Sequence, residues 1–189
     1  MTEFTIHTEA TAPEASKASL AESKASFGMV PNMHAVMAEA PGLLEGYKTL
    51  HALFTQTSFN AAEQTVVWQT INVENNCTYC VPAHTGIAMH MGVDQAVTDA
   101  LRNNTPLPDA KLEALRAFTL TVVRDRGHVD ELGMQAFFEA GFTRRQALEV
   151  VLGYAQKIMS NYTNHLAATP LDPALSSLSW NKPETIAAE

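Results

Sequence analysis

The only two cysteines of this 189-residue chain lie in one short stretch, Asn75-Asn76-Cys77-Thr78-Tyr79-Cys80-Val81-Pro82-Ala83-His84. They are two residues apart, and a histidine follows Cys80 by one helical turn. A thiolate is the nucleophilic form of cysteine, and a nearby base or positive charge promotes it. A second thiol next to it can trap an oxidised sulfur as a disulfide. On one helix, Cys77, Cys80 and His84 fall within about 60° of a single face. His84 is then an i,i+4 neighbour of Cys80, where an imidazole can take the thiol proton directly or through water. The segment reads as a redox centre.

An imidazole base is better held when a carboxylate orients it. Two carboxylates on the preceding helix qualify, on the stripe Glu63, Val67, Thr70, Glu74. Glu74 is nearer the cysteines in sequence. Glu63 also has a structural reading, three residues after a capping Asn60. The other readings of the cysteine pair are inert packing and metal binding. A zinc site needs a fourth ligand beside Cys77, Cys80 and His84, which Glu74 or His90 would supply. His165 reads as a core or interface histidine, and His90 as structural.

These side chains need helices to position them, and the chain reads as helical throughout. Residues 1–12 form an extended leader, and a helix follows from Pro13 to Ser26. Gly28 and Pro31 punctuate a connector over residues 27–32. A short helix spans Met33 to Glu39, and Pro41 opens the next, to Thr57. The Asn60–Glu63 capping box starts a helix ending near Glu74. Another runs from near Cys77 to Gly92. Further helices cover Asp94–Asn103, Lys111–Arg126 and Asp130–Ala140. Thr143 and Gln146 box the last, whose apolar stripe is Leu148, Leu152, Ala155, Met159, Tyr162 and Leu166. Pro170 and Pro173 end it, and residues 170–189 form an irregular tail that packs on a neighbour or frays. No strand pattern competes. The fold class is all-α, one domain over residues 1–189.

Apolar residues make up 46% and charged residues 17%, which suits a globular core. The net charge of −8 opposes binding to nucleic acid. No apolar run is long enough to span a bilayer, and the N-terminus lacks the features of a signal peptide. The expected compartment is the reducing cytoplasm, where a close cysteine pair is catalytic or metal-binding more often than a staple.

The motif Cys77-Thr-Tyr-Cys80-Val-Pro-Ala-His84, preceded by Asn75-Asn76, resembles the carboxymuconolactone decarboxylase / alkyl hydroperoxidase D-like superfamily, in particular its peroxidase-related branch. Phe27-Gly-Met-Val-Pro-Asn32 and Asn164-His-Leu-Ala-Ala-Thr-Pro-Leu-Asp172 are similar to that branch as well. The resemblance covers residues 20–175. It implies an AhpD-like helical bundle that assembles as a homo-oligomer (trimer, hexamer or dimer). It implies peroxide reduction in which Cys80 attacks, Cys77 resolves the sulfenic acid as a disulfide, and His84 serves a proton relay. No cofactor or metal is implied. The partners are a hydroperoxide and an external dithiol, lipoyl-bearing or thioredoxin-like. Two positions depart from the pattern. The family's relay glutamate aligns with Thr65, so the relay is rebuilt from Glu74 or Glu63 or is absent. Tyr79 stands where alkyl hydroperoxidase D has a histidine. Two other functions fit the same scaffold: a decarboxylase-like lyase or isomerase using His84 and Glu74, and a non-enzymatic redox sensor.

Overall fold

The structure, a computed structural model, describes residues 3–183, and its helices begin where the sequence supplies caps. In chain order they are α1 (Glu14–Phe27), α2 (Asn32–Met37), α3 (Pro41–Thr55), α4 (Ala61–Glu74), α5 (Cys80–His90), α6 (Gln95–Asn103), α7 (Ala110–Arg124), α8 (Glu131–Glu139) and α9 (Arg144–Ala167). A 3-10 helix, Pro173–Leu178, follows α9. The described residues contain no strand. Capping boxes at Asn60/Glu63 and Thr143/Gln146 launch α4 and α9. Aspartates 94, 109 and 130 accept backbone N–H groups at the starts of α6, α7 and α8. Gly28, at φ 73°, ends α1 in the left-handed region.

Helix α4 is the centre of the molecule. Every residue from Glu63 to Val73 is buried, as expected of a helix covered on all sides. It packs against α5, α6, α7 and α9. The larger apolar cluster joins Phe54, Val66, Trp68, Leu115, Phe118 and Phe137. A second cluster gathers Leu20, Met33, Met37, Leu44 and Tyr47 around Cys77, Tyr79 and Cys80.

Two expectations are corrected here, and one open alternative is decided. Cys77 does not lie on the helix of Cys80. Asn76 adopts φ 54°, and the chain leaves α4 through a Schellman turn. In that turn Cys77 N–H donates to the Asn72 carbonyl (2.9 Å) and Asn76 N–H to that of Val73 (3.1 Å). The next helix therefore starts only at Cys80. Of the two alternatives for the tail, packing holds through residue 183. Leu175 and Leu178 pack on α5 at Gly86, and Trp180 is buried with its indole N–H on the Arg102 carbonyl (2.8 Å). The apolar stripe of α9 points mostly outward: Leu148 and Leu166 are 72% and 75% exposed. The buried face carries Val150, Gly153, Gln156, Lys157, Ser160, Asn161 and Asn164 instead. Residues 3–8 are in no helix, strand or turn, and His7 N–H donates to the Ala35 carbonyl (3.3 Å). Residues 1–2 and 184–189 lie outside the described residues.

Candidate active site

The inward polar face of α9 meets the Schellman turn and the first turn of α5 at the two thiols. Both cysteines are free and buried, with Cys77 0% and Cys80 2% exposed. Cys80 N–H donates to Cys77 Sγ (3.3 Å), so the Cys77 sulfur occupies the place of an N-capping side chain. Asn164 directs its amide nitrogen at Cys80 Sγ (3.3 Å) and lies 3.9 Å from Cys77 Sγ. Two turns back along the same face of α9 is Lys157, which is fully buried. Its Nζ is 2.8 Å from His84 Nε2. An ammonium has only protons to offer, so Nε2 accepts and the ring proton sits on Nδ1. Nδ1 is buried without a hydrogen-bond partner.

Around this centre runs a scaffold of side-chain amides. Asn161 donates to Asn72 (3.0 Å) and accepts from Asn75 (2.9 Å). Asn72 donates to Gln69 (3.0 Å), which donates to the Val81 carbonyl (3.1 Å) and to Thr85 Oγ1 (3.2 Å). These bonds tie α4, α5 and α9 together at the depth of the thiols. The Trp68 ring packs on His84 with centroids 4.8 Å apart, and its indole N–H donates to Gln156 (2.7 Å). His51 stacks on the far side of the series, 5.5 Å from Trp68.

The electrostatics separate the two thiols. Burial alone would push the Cys80 thiol up. The neighbouring Cys77 thiol, the Lys157 charge, and the nearby Ser160 and Asn161 side chains outweigh it and bring Cys80 down to about 5. Cys77 is driven strongly upward, first by its hydrogen bond to Cys80, then by burial and the Cys80 charge. The site thus favours a Cys80 thiolate beside a protonated Cys77. His84 is held well below its ordinary range by burial and then by the charges of Lys157 and His51, so it is neutral. Burial also lowers Lys157, against the opposing pull of the two cysteines.

Tyr79 explains two other segments. Its hydroxyl donates to Asp172 Oδ2 (2.5 Å) and accepts from Met33 N–H (3.3 Å). Asp172 Oδ1 also accepts Asn32 N–H (3.0 Å), and Asn32 Nδ2 donates to the Pro170 carbonyl (3.0 Å). The 27–32 connector and the 164–172 segment therefore meet at the residue preceding Cys80.

Of the four residues expected in the site, Cys77, Cys80 and His84 come together and Glu74 does not. Glu74 closes α4 on its outer side and makes a bidentate pair with Arg124 of α7 (2.7 and 2.8 Å), which lowers its carboxyl. Glu63 is occupied by its capping box and by Lys111 (2.8 Å). Neither carboxylate orients His84; Lys157 does. Among the described residues no hydrogen bond joins His84 to a thiol. Thr65 is buried, and its hydroxyl has no partner. His90 and His165 are exposed, the latter stacked on Tyr162. Among the described residues no three histidine, cysteine or carboxylate side chains converge as metal ligands.

Lys157 and Asn161 are missed in the sequence, and Asn164 is visible there only as the start of a family-like segment, because a polar stripe on a long helix reads as its wet face. One signal was present. Gly153 lies on that stripe, and a small residue there marks the close approach of a neighbour.

No protein-family model matches the chain, and no curated protein matches it. Solved structures do. A peroxidase-related protein from Ralstonia eutropha JMP134, described as an alkylhydroperoxidase AhpD core, superimposes with TM-score 0.81 at 22% identity, over 92% of this chain and 93% of that one. A peroxidase-related protein from Silicibacter sp. TM1040 gives 0.76 at 17%, over 92% of each chain. The debrominase Bmp8, as a cysteine-to-alanine variant with 2,3,4-tribromopyrrole, gives 0.74 at 15%, over 94% of this chain and 95% of that one. The fold is the AhpD-like helical bundle.

Proposed function

We propose that the chain is a thiol-dependent hydroperoxide reductase in which Cys80 attacks and Cys77 resolves. The observation that carries this reading is the inequality of the two thiols: Asn164 directs its amide at Cys80 Sγ (3.3 Å) and stands farther from Cys77 Sγ (3.9 Å), and the charge of Lys157 favours Cys80 over Cys77 as the anion. The Cys80 thiolate attacks the terminal oxygen of a hydroperoxide, and the O–O bond breaks. The sulfur becomes a sulfenic acid, and the departing alkoxide takes up a proton to leave as the alcohol. The Cys77 thiol then displaces the hydroxyl from Cys80 as water, forming the Cys77–Cys80 disulfide. Exchange with an external dithiol of the lipoyl or thioredoxin-like kind returns both thiols and oxidises that dithiol. The fold likeness to peroxidase-related proteins supports the same chemistry. The setting is the cytoplasm, since both thiols must start reduced. Among the described residues no helix is long and apolar enough to cross a membrane.

The thiol reading is preferred to an acid–base lyase because Glu74 pairs with Arg124 and not with His84. The test is the thiol state after a stoichiometric dose of cumene hydroperoxide, read by alkylation and intact mass. The wild type is expected to form one intramolecular disulfide rapidly. Cys77→Ser is expected to accumulate a dimedone-reactive sulfenic acid, and Cys80→Ser to remain reduced. Two unreacted thiols in the wild type would sink the redox reading. A disulfide that forms once but does not turn over with any added dithiol would indicate a sensor.

A further inference from the structure

A buried lysine normally has a carboxylate for company, and Lys157 has none. Among the described residues it makes no ion pair with an acidic side chain; its Nζ lies 2.8 Å from the neutral His84 ring, and Cys80 is its other polar neighbour. The titratable groups turned toward it are Cys77 and Cys80 before and at the start of α5, His84 within α5, and His51 of α3. Tyr47 of α3 lies close enough to Cys80 to feel its charge, and burial keeps it protonated. Asn164, two turns along the same face of α9, directs its amide at Cys80 Sγ (3.3 Å), and His84, which holds Nζ at 2.8 Å, is one turn beyond Cys80, so the ammonium faces that thiol. Cys80 is the one group of this set that its surroundings favour as an anion. An isolated charge in a protein interior costs several kcal/mol, so ammonium and thiolate hold each other charged.

That mutual dependence has a chemical consequence when the thiolate reacts. As Cys80 forms its bond to oxygen, its negative charge passes to the departing alkoxide, and the ammonium loses its counter-ion. We infer that Lys157 is the proton donor of the peroxide step, with His84 as the positioning residue that holds Nζ. This rests on Cys80 being the peroxide-reducing thiolate. In balance, thiolate, ammonium and ROOH give sulfenic acid, neutral amine and ROH. Condensation with Cys77 releases water with no net proton change. When an external dithiol reduces the disulfide, the Cys80 thiol that emerges returns its proton to the Lys157 amine, and the starting pair is restored. The cycle needs no relay glutamate, which accounts for Thr65 at that position and for Glu74 facing Arg124. Nor does His84 need to change protonation, in keeping with an Nε2 already occupied by Lys157 and an Nδ1 with no proton acceptor.

The leaving group distinguishes a proton donor from a residue that only stabilises the thiolate. An alkoxide is a poor leaving group and requires a proton; a carboxylate leaving from a peracid does not. Single-turnover oxidation of Cys80 is therefore compared for tert-butyl hydroperoxide and peracetic acid in wild type, Lys157→Met and Lys157→Arg. Thiolate content is followed at 240 nm and folding by circular dichroism. Arginine keeps a positive charge but cannot give up its proton at neutral pH. In Lys157→Arg the tert-butyl hydroperoxide rate, normalised to thiolate content, is expected to fall about 100-fold or more. The peracetic acid rate is expected to fall by less than about tenfold, as it lacks that demand. Lys157→Met is expected to show the same selectivity on a lower thiolate content. His84→Gln, which retains an acceptor for Nζ, is expected to preserve the wild-type ratio of the two rates, and His84→Leu to lose it. Equal losses with both oxidants in the lysine variants would overturn the proton-donor role while leaving the thiol chemistry intact. A wild type that neither reagent oxidises would overturn both. If the lysine variants fail to fold, a graded series of hydroperoxides on the wild type still decides. A rate nearly independent of leaving-group pKa supports proton donation, and a steep dependence refutes it.

Discussion

A thiolate inside a protein survives only if its surroundings offset the loss of water. For Cys80 the offset comes from Asn164, from the Ser160 and Asn161 side chains, from Cys77 and from Lys157, all fixed on the inner face of α9 or the turn before α5. The sign of its pH dependence follows. A thiol lowered to about 5 is protonated below that pH and ionised above it, so its reactivity should reach a plateau well before neutrality. An unperturbed cysteine would still be gaining reactivity up to about pH 8.5. The measurement is absorbance at 240 nm, with iodoacetamide alkylation of Cys77→Ser across pH 4–9 as a second readout. In the wild type one thiolate equivalent should titrate near pH 5, and Cys80→Ser should remove it. Asn164→Ala deletes a donor to a charged sulfur, an interaction of about 1.5–3 kcal/mol. The inflection should therefore rise by roughly one to two pH units. A wild-type inflection near 8.5 would contradict this account of the site.

At the scale of helices, the site depends on how closely α9 approaches α3 and α4. Gly153 sits one turn before Lys157, where the Phe54 and Val67 side chains press against the α9 backbone. A Cβ there would lie 2.6 Å from Phe54 Cε2 and 3.0 Å from Val67 Cγ1. Phe54 and Val67 are fully buried, so neither can swing aside. Gly153→Ala gains about 1 kcal/mol of helix propensity but meets an overpacking cost of about 1–3 kcal/mol. A net destabilisation by denaturant titration is expected, together with slower oxidation of Cys80 as Lys157 is displaced. A more stable variant would refute the close approach. Much of this level is legible from residues alone. Asn60/Glu63 and Thr143/Gln146 are local signals, and both boxes form because capping needs only neighbours in sequence. The start of α5 was misread because Asn76 spends its conformation ending α4, which displaces Cys77 from the helix of Cys80. Lys157 was illegible for a different reason. Periodicity reports which face is apolar and cannot report that a polar face is buried against another helix, here the Gln69 and Asn72 side of α4.

The whole molecule carries the reverse side of that arrangement. With its polar face turned inward, α9 displays Leu148, Val151, Tyr162 and Leu166 at 72%, 51%, 47% and 75% exposure. From Leu148 to Leu166 this stripe runs about 27 Å along the helix. Exposed apolar stripes of this length mark contact surfaces. We propose a second copy of the chain as its occupant. The stripe has bulky residues at both ends and the small Ala155 between them. An antiparallel two-fold pairing would set the Leu148 end of one copy against the Leu166 end of the other and let the helices approach at Ala155. Charge points the same way. The chain as a whole carries −8, yet the one carboxylate of α9, Glu149, is tied to Ser58 and Arg145 and stands off the stripe. Two copies meeting here bring no unpaired α9 carboxylate into the contact. Light scattering coupled to size exclusion should give a mass of at least two chains at micromolar concentration. Leu148→Glu combined with Leu166→Glu should reduce it to one chain while leaving the helical circular dichroism signal in place. A monomeric wild type, or a double variant of unchanged mass, would mean that this face is not where the copies meet.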